Sequence, residues 1–304
     1  MQTLHRRAFA VTVVWTLLLL YLGSVVHATG SSLACPDWPT CYGTMVPEMR
    51  GGIFWEHLHR LVAGGLILMF LLATWLARRE TRDRPWIFRA CLGGIALLLV
   101  QALFGGITVL LRLPPWASTT HLALALLFLS LVTVLATASA PPVPGLTAEE
   151  GETTARWGRA AAVLVFLQSV LGALVRHTHA GMACPDVPLC AGRLIPPLDS
   201  GLMVLQVLHR LLGLIVAFGV VWMAVRSLRS GAPRTVRMWA GWAGVLVIVQ
   251  IGLGFLSVMT ALAVVPVSLH TLVAASILAI SVHLATAGNM AVRAARGRPA
   301  REPV

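Results

Sequence analysis

The chain has 304 residues, 58% of them hydrophobic and only 11% charged, with a mean hydropathy of +0.84, a balance that excludes an ordinary soluble globular protein. Its formal charge of +12 comes from 23 basic residues, every one an arginine. They gather in short segments between apolar runs, so the charge reads as membrane topology and excludes a nucleic-acid partner.

Eight apolar runs of helical length fall at about 8–27, 55–77, 89–111, 117–138, 157–175, 203–225, 238–260 and 264–287. The first follows a basic start (His5, Arg6, Arg7) and is long enough to span, so it reads as a helix and not as a cleaved signal. Arginine is concentrated at the start, over 78–84, over 226–237 and over 293–301, whereas the segments 28–54, 112–116, 176–202 and 261–263 are poor in it. The positive-inside rule then puts both termini in the cytoplasm of a cell with this protein in its plasma membrane. Trp55, Trp86, Trp116, Trp157 and Trp239 stand at span ends, where the amphipathic indole prefers to lie. The Pro-, Gly- and Glu-rich stretch 141–156 reads as a cytoplasmic linker between an N-terminal half, 1–140, and a C-terminal half, 157–304.

The two halves are copies. Leu22-Gly23 recurs as Leu171-Gly172, and Cys35-Pro36-Asp37-Trp38-Pro39-Thr40-Cys41 as Cys184-Pro185-Asp186-Val187-Pro188-Leu189-Cys190, at an offset of 149 residues. His59-Arg60 matches His209-Arg210 at 150, and Val100-Gln101, Gly105 and His121 match Val249-Gln250, Gly254 and His270 at 149. An even crossing count gives both halves one orientation, which predicts an all-α polytopic protein of two tandem four-helix bundles about a pseudo-two-fold axis along the membrane normal.

The stretch Phe54-Trp55-Glu56-His57-Leu58-His59-Arg60 opens the second span with an acid, imidazoles and a cation, groups that are costly in lipid. Glu56 and His59, three apart, share a helix face, while His57 points roughly the other way. By the repeat, His59, His121, His209 and His270 each lie about one turn into spans 2, 4, 6 and 8 from the outer surface. A single histidine on an apolar helix is ordinarily a hydrogen-bonded core residue, but two per half at one depth form the axial pair that a haem iron needs. Zinc would want a third or fourth protein ligand, and the spans repeat no other Cys, Asp or His. Arg60 and Arg210 are candidate propionate contacts or interfacial anchors. Each outer cysteine pair, Cys35/Cys41 and Cys184/Cys190, closes a short loop in an oxidising compartment, with a disulfide staple as the first reading and a redox or haem-handling role as the second. His177 and His179 near Cys184 leave a metal site as a third. Cys91 reads as inert packing, and His5 and His283 have no repeat partner.

On these motifs, Glu56-x-x-His59-Arg60, His209-Arg210, His121, His270 and the two Cys-Pro-Asp-x-Pro-x-Cys loops, the chain resembles the haem A synthase family over nearly its whole length. The resemblance implies oxidation of a methyl group of haem O to the formyl group of haem A for terminal oxidases. It puts His59 and His121 on substrate haem O, His209 and His270 on a resident haem b, and the role of catalytic acid on Glu56. It further implies haem O synthase, oxidase assembly factors and a membrane electron donor as partners, and leaves a homo-oligomer open. Two positions break the repeat: Gln206 stands where the first half has Glu56, and His27 where the second has Arg176, a further candidate propionate contact. Two similar haem sites differing by one acid are candidates for different work, the carboxylate accepting protons or stabilising a carbocation while Gln206 only hydrogen-bonds. The alternative is a dihaem electron carrier linked to quinol, which shares the four histidines but has no need of an acid in one half. A prenyl-transferring haem O synthase is disfavoured, because no Asp-rich diphosphate motif is present.

Overall fold

The structure, a computed structural model, describes residues 2–78, 84–194 and 196–296, so most of the arginine-rich segment at 78–84 and the end of the one at 293–301 lie outside it. Eight long helices account for most of the described residues: α1 (Gln2–Ala28), α2 (Gly51–Ala77), α3 (Pro85–Leu110), α4 (Pro115–Ala138), α5 (Ala148–His177), α6 (Gly201–Leu228), α7 (Arg234–Met259) and α8 (Val264–Arg296). All eight are long and apolar enough to cross a membrane, and backbone pairing inside each helix is the way a chain satisfies its N–H and C=O groups in hydrocarbon. The protein is an all-α polytopic membrane protein.

The helices start where local chemistry says they should. Pro85 and Pro115 occupy first-turn positions of α3 and α4, where a missing N–H costs nothing. The linker is shorter than its composition suggests, because α5 begins at Ala148. Thr147 and Glu150 form a reciprocal capping box, and Glu149 and Glu150 in the first turn favour the positive end of the helix. The acids that read as loop are a helix start.

Neighbouring helices pair as α1 with α2 and α3 with α4, and again as α5 with α6 and α7 with α8; α1 and α4 meet α8, and α4 meets α5, across the seam between the halves. Packing of α5 on α8 is closest, through small residues: a Cβ on Gly158 would meet the Ala285 nitrogen at 2.6 Å, the close backbone approach that drives helix association where lipid offers no hydrophobic contrast. Polar bonds also cross the seam. Arg176 on α5 donates to the Ser24 hydroxyl and carbonyl on α1 at 2.7 and 2.8 Å. Ser24 meets Thr271 at 3.2 Å, and Thr137 meets His283 at 2.9 Å.

At one end of the bundle, two loops repeat in detail. Disulfides join Cys35 to Cys41 and Cys184 to Cys190, with Cα separations of 4.8 and 4.6 Å. Each is followed by two residues at positive φ, Tyr42-Gly43 and Ala191-Gly192, the backbone of a tight hairpin turn. The aspartate between the cysteines closes each turn. Asp37 accepts from the Thr40 hydroxyl and from the Tyr42 and Gly43 amides, and Asp186 from the Ala191 and Gly192 amides. These bonds favour the anion, so both carboxyls titrate below the usual aspartate value, Asp37 chiefly through Thr40 and Asp186 chiefly through the Gly192 amide.

Candidate functional site

The four repeated histidines have one environment. Each lies with its ring edge against a glycine of the preceding helix: an ideal Cβ on Gly23, Gly105, Gly172 or Gly254 would fall 3.0, 3.1, 2.9 or 3.2 Å from Cε1 of His59, His121, His209 or His270. These are the glycines that recur between the halves. Their repetition has a physical cause, since any side chain there would push the imidazole off its helix. Two of these seats lie in the first half, at His59 and His121, and two in the second, at His209 and His270.

Ring nitrogens differ in their partners. His121 Nδ1 is 3.1 Å from the Gln101 carbonyl, to which it donates, and its Nε2 is 3.4 Å from the Gln101 side-chain nitrogen. His270 Nδ1 is buried without a hydrogen-bond partner. His59 Nδ1 is buried without a partner. His209 Nδ1 is 3.0 Å from the Gln168 side-chain nitrogen, which also donates to the His209 carbonyl at 2.9 Å.

These features fit haem. Among the described residues, no group of three or more His, Cys, Asp or Glu could hold a bare metal ion, whereas a metal carried in its own ring of four nitrogens needs only two axial side chains. An imidazole whose Nδ1 donates to a carbonyl presents Nε2 to iron, the usual arrangement of a ligating histidine.

Glu56 is only 4% exposed. One oxygen accepts from the Cys35 amide at 2.8 Å, the other from Arg60 at 2.6 Å. Arg60 further donates to the Asp37 and Thr40 carbonyls at 2.9 and 2.6 Å. The acid is thus tied to the first disulfide loop on both sides. In the second half Arg210 donates to the Asp186, Leu189 and Cys184 carbonyls at 3.0, 2.7 and 2.8 Å, and Gln206 reaches the Gly181 carbonyl at 3.3 Å. Both arginines therefore have loop carbonyls as their partners here. Arg176 stands at the seam on Ser24, and the rings of His27 and His177 meet edge to face at 4.8 Å. His57 is as buried as Glu56.

Sequence reasoning missed Gln168, whose one available signal was that the repeat breaks there, with Leu19 at the matching position. It also missed the bridge from Arg176 to Ser24, which joins residues 152 apart and has no sequence pattern. A cleft of about 560 Å³ lies elsewhere, at the linker end among Thr147, Glu150, Trp157, Trp222 and Arg226, and contains none of the four histidines.

Residues 6–282 match the family model COX15-CtaA, described as cytochrome oxidase assembly protein. Similar relatives include proteins named heme A synthase from Symbiobacterium thermophilum, 32% identical over 286 residues covering 86% of this chain and 90% of the relative. Another from Shouchella clausii is 29% identical over 265 residues, 84% of this chain and 87% of its own. A third, from Lysinibacillus sphaericus, is 30% identical over 279 residues, with 87% and 89% covered.

Proposed function

The chain belongs to the COX15-CtaA family of cytochrome oxidase assembly proteins, and from that premise we propose that it is a haem A synthase, oxidising a methyl group of haem O to the formyl group of haem A. The observation that carries the reading is a pair of histidine-on-glycine sites of one design, only one of which has a buried acid beside it. His59 and His121 hold the substrate haem O. His209 and His270 hold a resident haem b, which when bound supplies a one-electron redox centre to the second half.

Turning a methyl into a formyl group releases protons and electrons in stages, so a fixed acceptor near the reacting edge is what the protein has to contribute. Glu56 is that acceptor. Arg60 and the Cys35 amide fix both of its oxygens, so its position depends on the first disulfide loop being closed over the end of α2. Gln206 in the second half has the size and hydrogen-bonding capacity of Glu56 but no charge; there Arg210 donates to the loop carbonyls and Gln206 to the Gly181 carbonyl just before the loop. One half is equipped to move protons and the other to keep a haem. Arg60, Arg210 and Arg176, at the same end of the bundle, are the cations available to haem propionates.

The arginine distribution supports a plasma-membrane protein with both termini in the cytoplasm and the haem sites and disulfide loops toward the outer side. Haem O synthase, oxidase assembly factors and a membrane electron donor are the partners that this chemistry calls for. The test is to express the chain in cells supplied with haem O but lacking haem A, and to separate the extracted haems by chromatography. Haem A should appear. Unchanged haem O, with protein that is folded and carries haem, would point instead to a dihaem electron carrier.

A further inference from the structure

The two halves also differ in how their middle helices meet. Among the described residues, α2 and α3 pack least closely of the neighbouring pairs within a half, whereas their counterparts α6 and α7 are in extensive contact. Because α1 and α4 turn toward the second half, this loose seam lies on the side of the first bundle that lipid covers. At the linker end the seam is tight, since a Cβ on Gly94 of α3 would meet the Phe70 ring of α2 at 2.6 Å. At the other end the first disulfide loop bridges the two helices. Its Asp37 and Thr40 carbonyls are held by Arg60 of α2, and its Trp38 indole lies on Gly106 of α3, where a Cβ would fall 2.8 Å from the ring. Gly106 directly follows Gly105, the seat of His121. In the second half the aromatic is on the helix instead: Val187 stands in place of Trp38 and Phe255 in place of Gly106.

We propose that haem O enters the first half, and haem A leaves it, sideways from the bilayer through the seam between α2 and α3, with Trp38 on Gly106 as the latch at the disulfide-loop end. The proposal rests on the assignment of the first half to the substrate. Haem O carries a prenyl chain, which partitions into hydrocarbon and not into water, so the least costly route is one open to lipid along its length. A resident haem has no need of such a route, and close packing of α6 on α7 shuts it. A ring resting on a glycine backbone is an apolar contact that can be made and broken. The same loop fixes Glu56 through Arg60 and the Cys35 amide. The acid is therefore set in place in the state in which the seam is shut, as a lid that both encloses a substrate and completes its site requires.

The experiment follows haem O moving between phosphatidylcholine vesicles and the full-length chain in proteoliposomes, for the parent and the Trp38→Val, Gly106→Ala, Ala102→Trp, Gly93→Ala and His59→Ala variants. Loading and unloading rates are read from the visible spectrum, and the resident haem is quantified in each. Gly106→Ala drives a methyl group against the Trp38 ring. If that overpacking falls on the closed latch, exchange quickens by roughly 5–150-fold, and Trp38→Val, which removes the ring, should quicken it as well. Ala102 lies one turn below Gly106 on the same face of α3, and Ile251 stands there in the second half. Ala102→Trp fills the seam and should slow both loading and unloading. Gly93→Ala, where nothing lies within 4 Å of the new Cβ, is the control and should match the parent. Parental rates in Ala102→Trp, or in both latch variants, would overturn the proposal, as would quickened exchange accompanied by loss of the resident haem. His59→Ala separates the two layers of argument: if it takes up haem O as the parent does, the assignment of the first half to the substrate is itself wrong.

Discussion

Substituting Gly172 by alanine tests the histidine-on-glycine packing with one methyl group. The new Cβ would lie 2.9 Å from His209 Cε1, whereas carbon atoms in good contact sit about 3.5–4.0 Å apart. The ring or the helix must therefore give way by roughly 0.6–1.1 Å, more than the ~0.5 Å within which a functional side chain has to be held. Alanine favours a helix over glycine by roughly 0.5–1 kcal/mol, so α5 itself is not weakened. Overpacking of this kind costs about 1–3 kcal/mol. If the free protein relaxes by turning the ring aside, that cost falls on the haem-bound state and lowers haem affinity by roughly 5–150-fold. The assay is haem content per purified protein together with the visible spectrum of the second-half haem. Gly252→Ala, where nothing lies within 4 Å of the new Cβ, is the control, and Gly254→Ala, at 3.2 Å from His270, should be milder. Full haem content with a parental spectrum in Gly172→Ala would refute the claim that these glycines exist to seat the imidazoles.

Glu56→Gln should leave the protein folded and haem-bound while haem A formation falls roughly 10²–10⁴-fold and haem O accumulates; parental turnover in haem extracts would make the acid structural. Mass mapping without reductant should find Cys91 as the single free thiol, and Cys184→Ser should lower stability by about 2 kcal/mol in a denaturation series, the value expected for so short a ring. Asp37 and Asp186 have depressed pKa values, so their bonds to the turns are present above the unfolded value of about 3.9 and are lost as pH falls through the lower folded value. Carboxyl NMR should show both titrating below the free residue, and a midpoint above it would contradict the turn geometry. Arg176→Met removes both bonds to Ser24 across the seam and should lower the thermal midpoint; no change would show that the bridge is idle.

The spans could be read from apolar runs, yet their ends could not. The run 157–175 is the part of α5 that lipid would cover, while the helix itself extends from Ala148 to His177, because a backbone ladder continues past the apolar slab until something caps it. The capping residues, Thr147 and Glu150, were present in the sequence but sat among prolines and acids that read as loop. The four histidines were legible because the repeat set them at equal depth, and the repeated glycines were visible without their purpose. Their meaning is tertiary: a glycine on one helix makes room for a ring on the next. Arg60 and Arg210 illustrate the opposite limit. Their position beside the histidines suggested propionates, and the loop carbonyls that hold them come from about 20 residues upstream, a pairing no local pattern encodes.

Where duplicated sites diverge, the divergence is informative in proportion to how much else is kept. Fold, ring seating, disulfide loops and arginine anchors are common to both halves, so none of these explains a difference in role. What differs near the histidines is an acid for an amide at Glu56 and Gln206, histidine for arginine at His27 and Arg176, leucine for glutamine at Leu19 and Gln168, and alanine for glycine at Ala63 and Gly213. The differences are chemically consistent. The first half has a carboxylate held at its loop where the second has an amide; the Gln168 amide of the second half faces His209, and the first half has leucine at the matching place. A site that must bind, oxidise and release a haem needs turnover and proton uptake, and a site that must keep a haem needs a fixed ligand and no competing charge. A buried acid kept at one site and replaced by its neutral isostere at the other favours a division of labour between the halves over two equivalent redox centres.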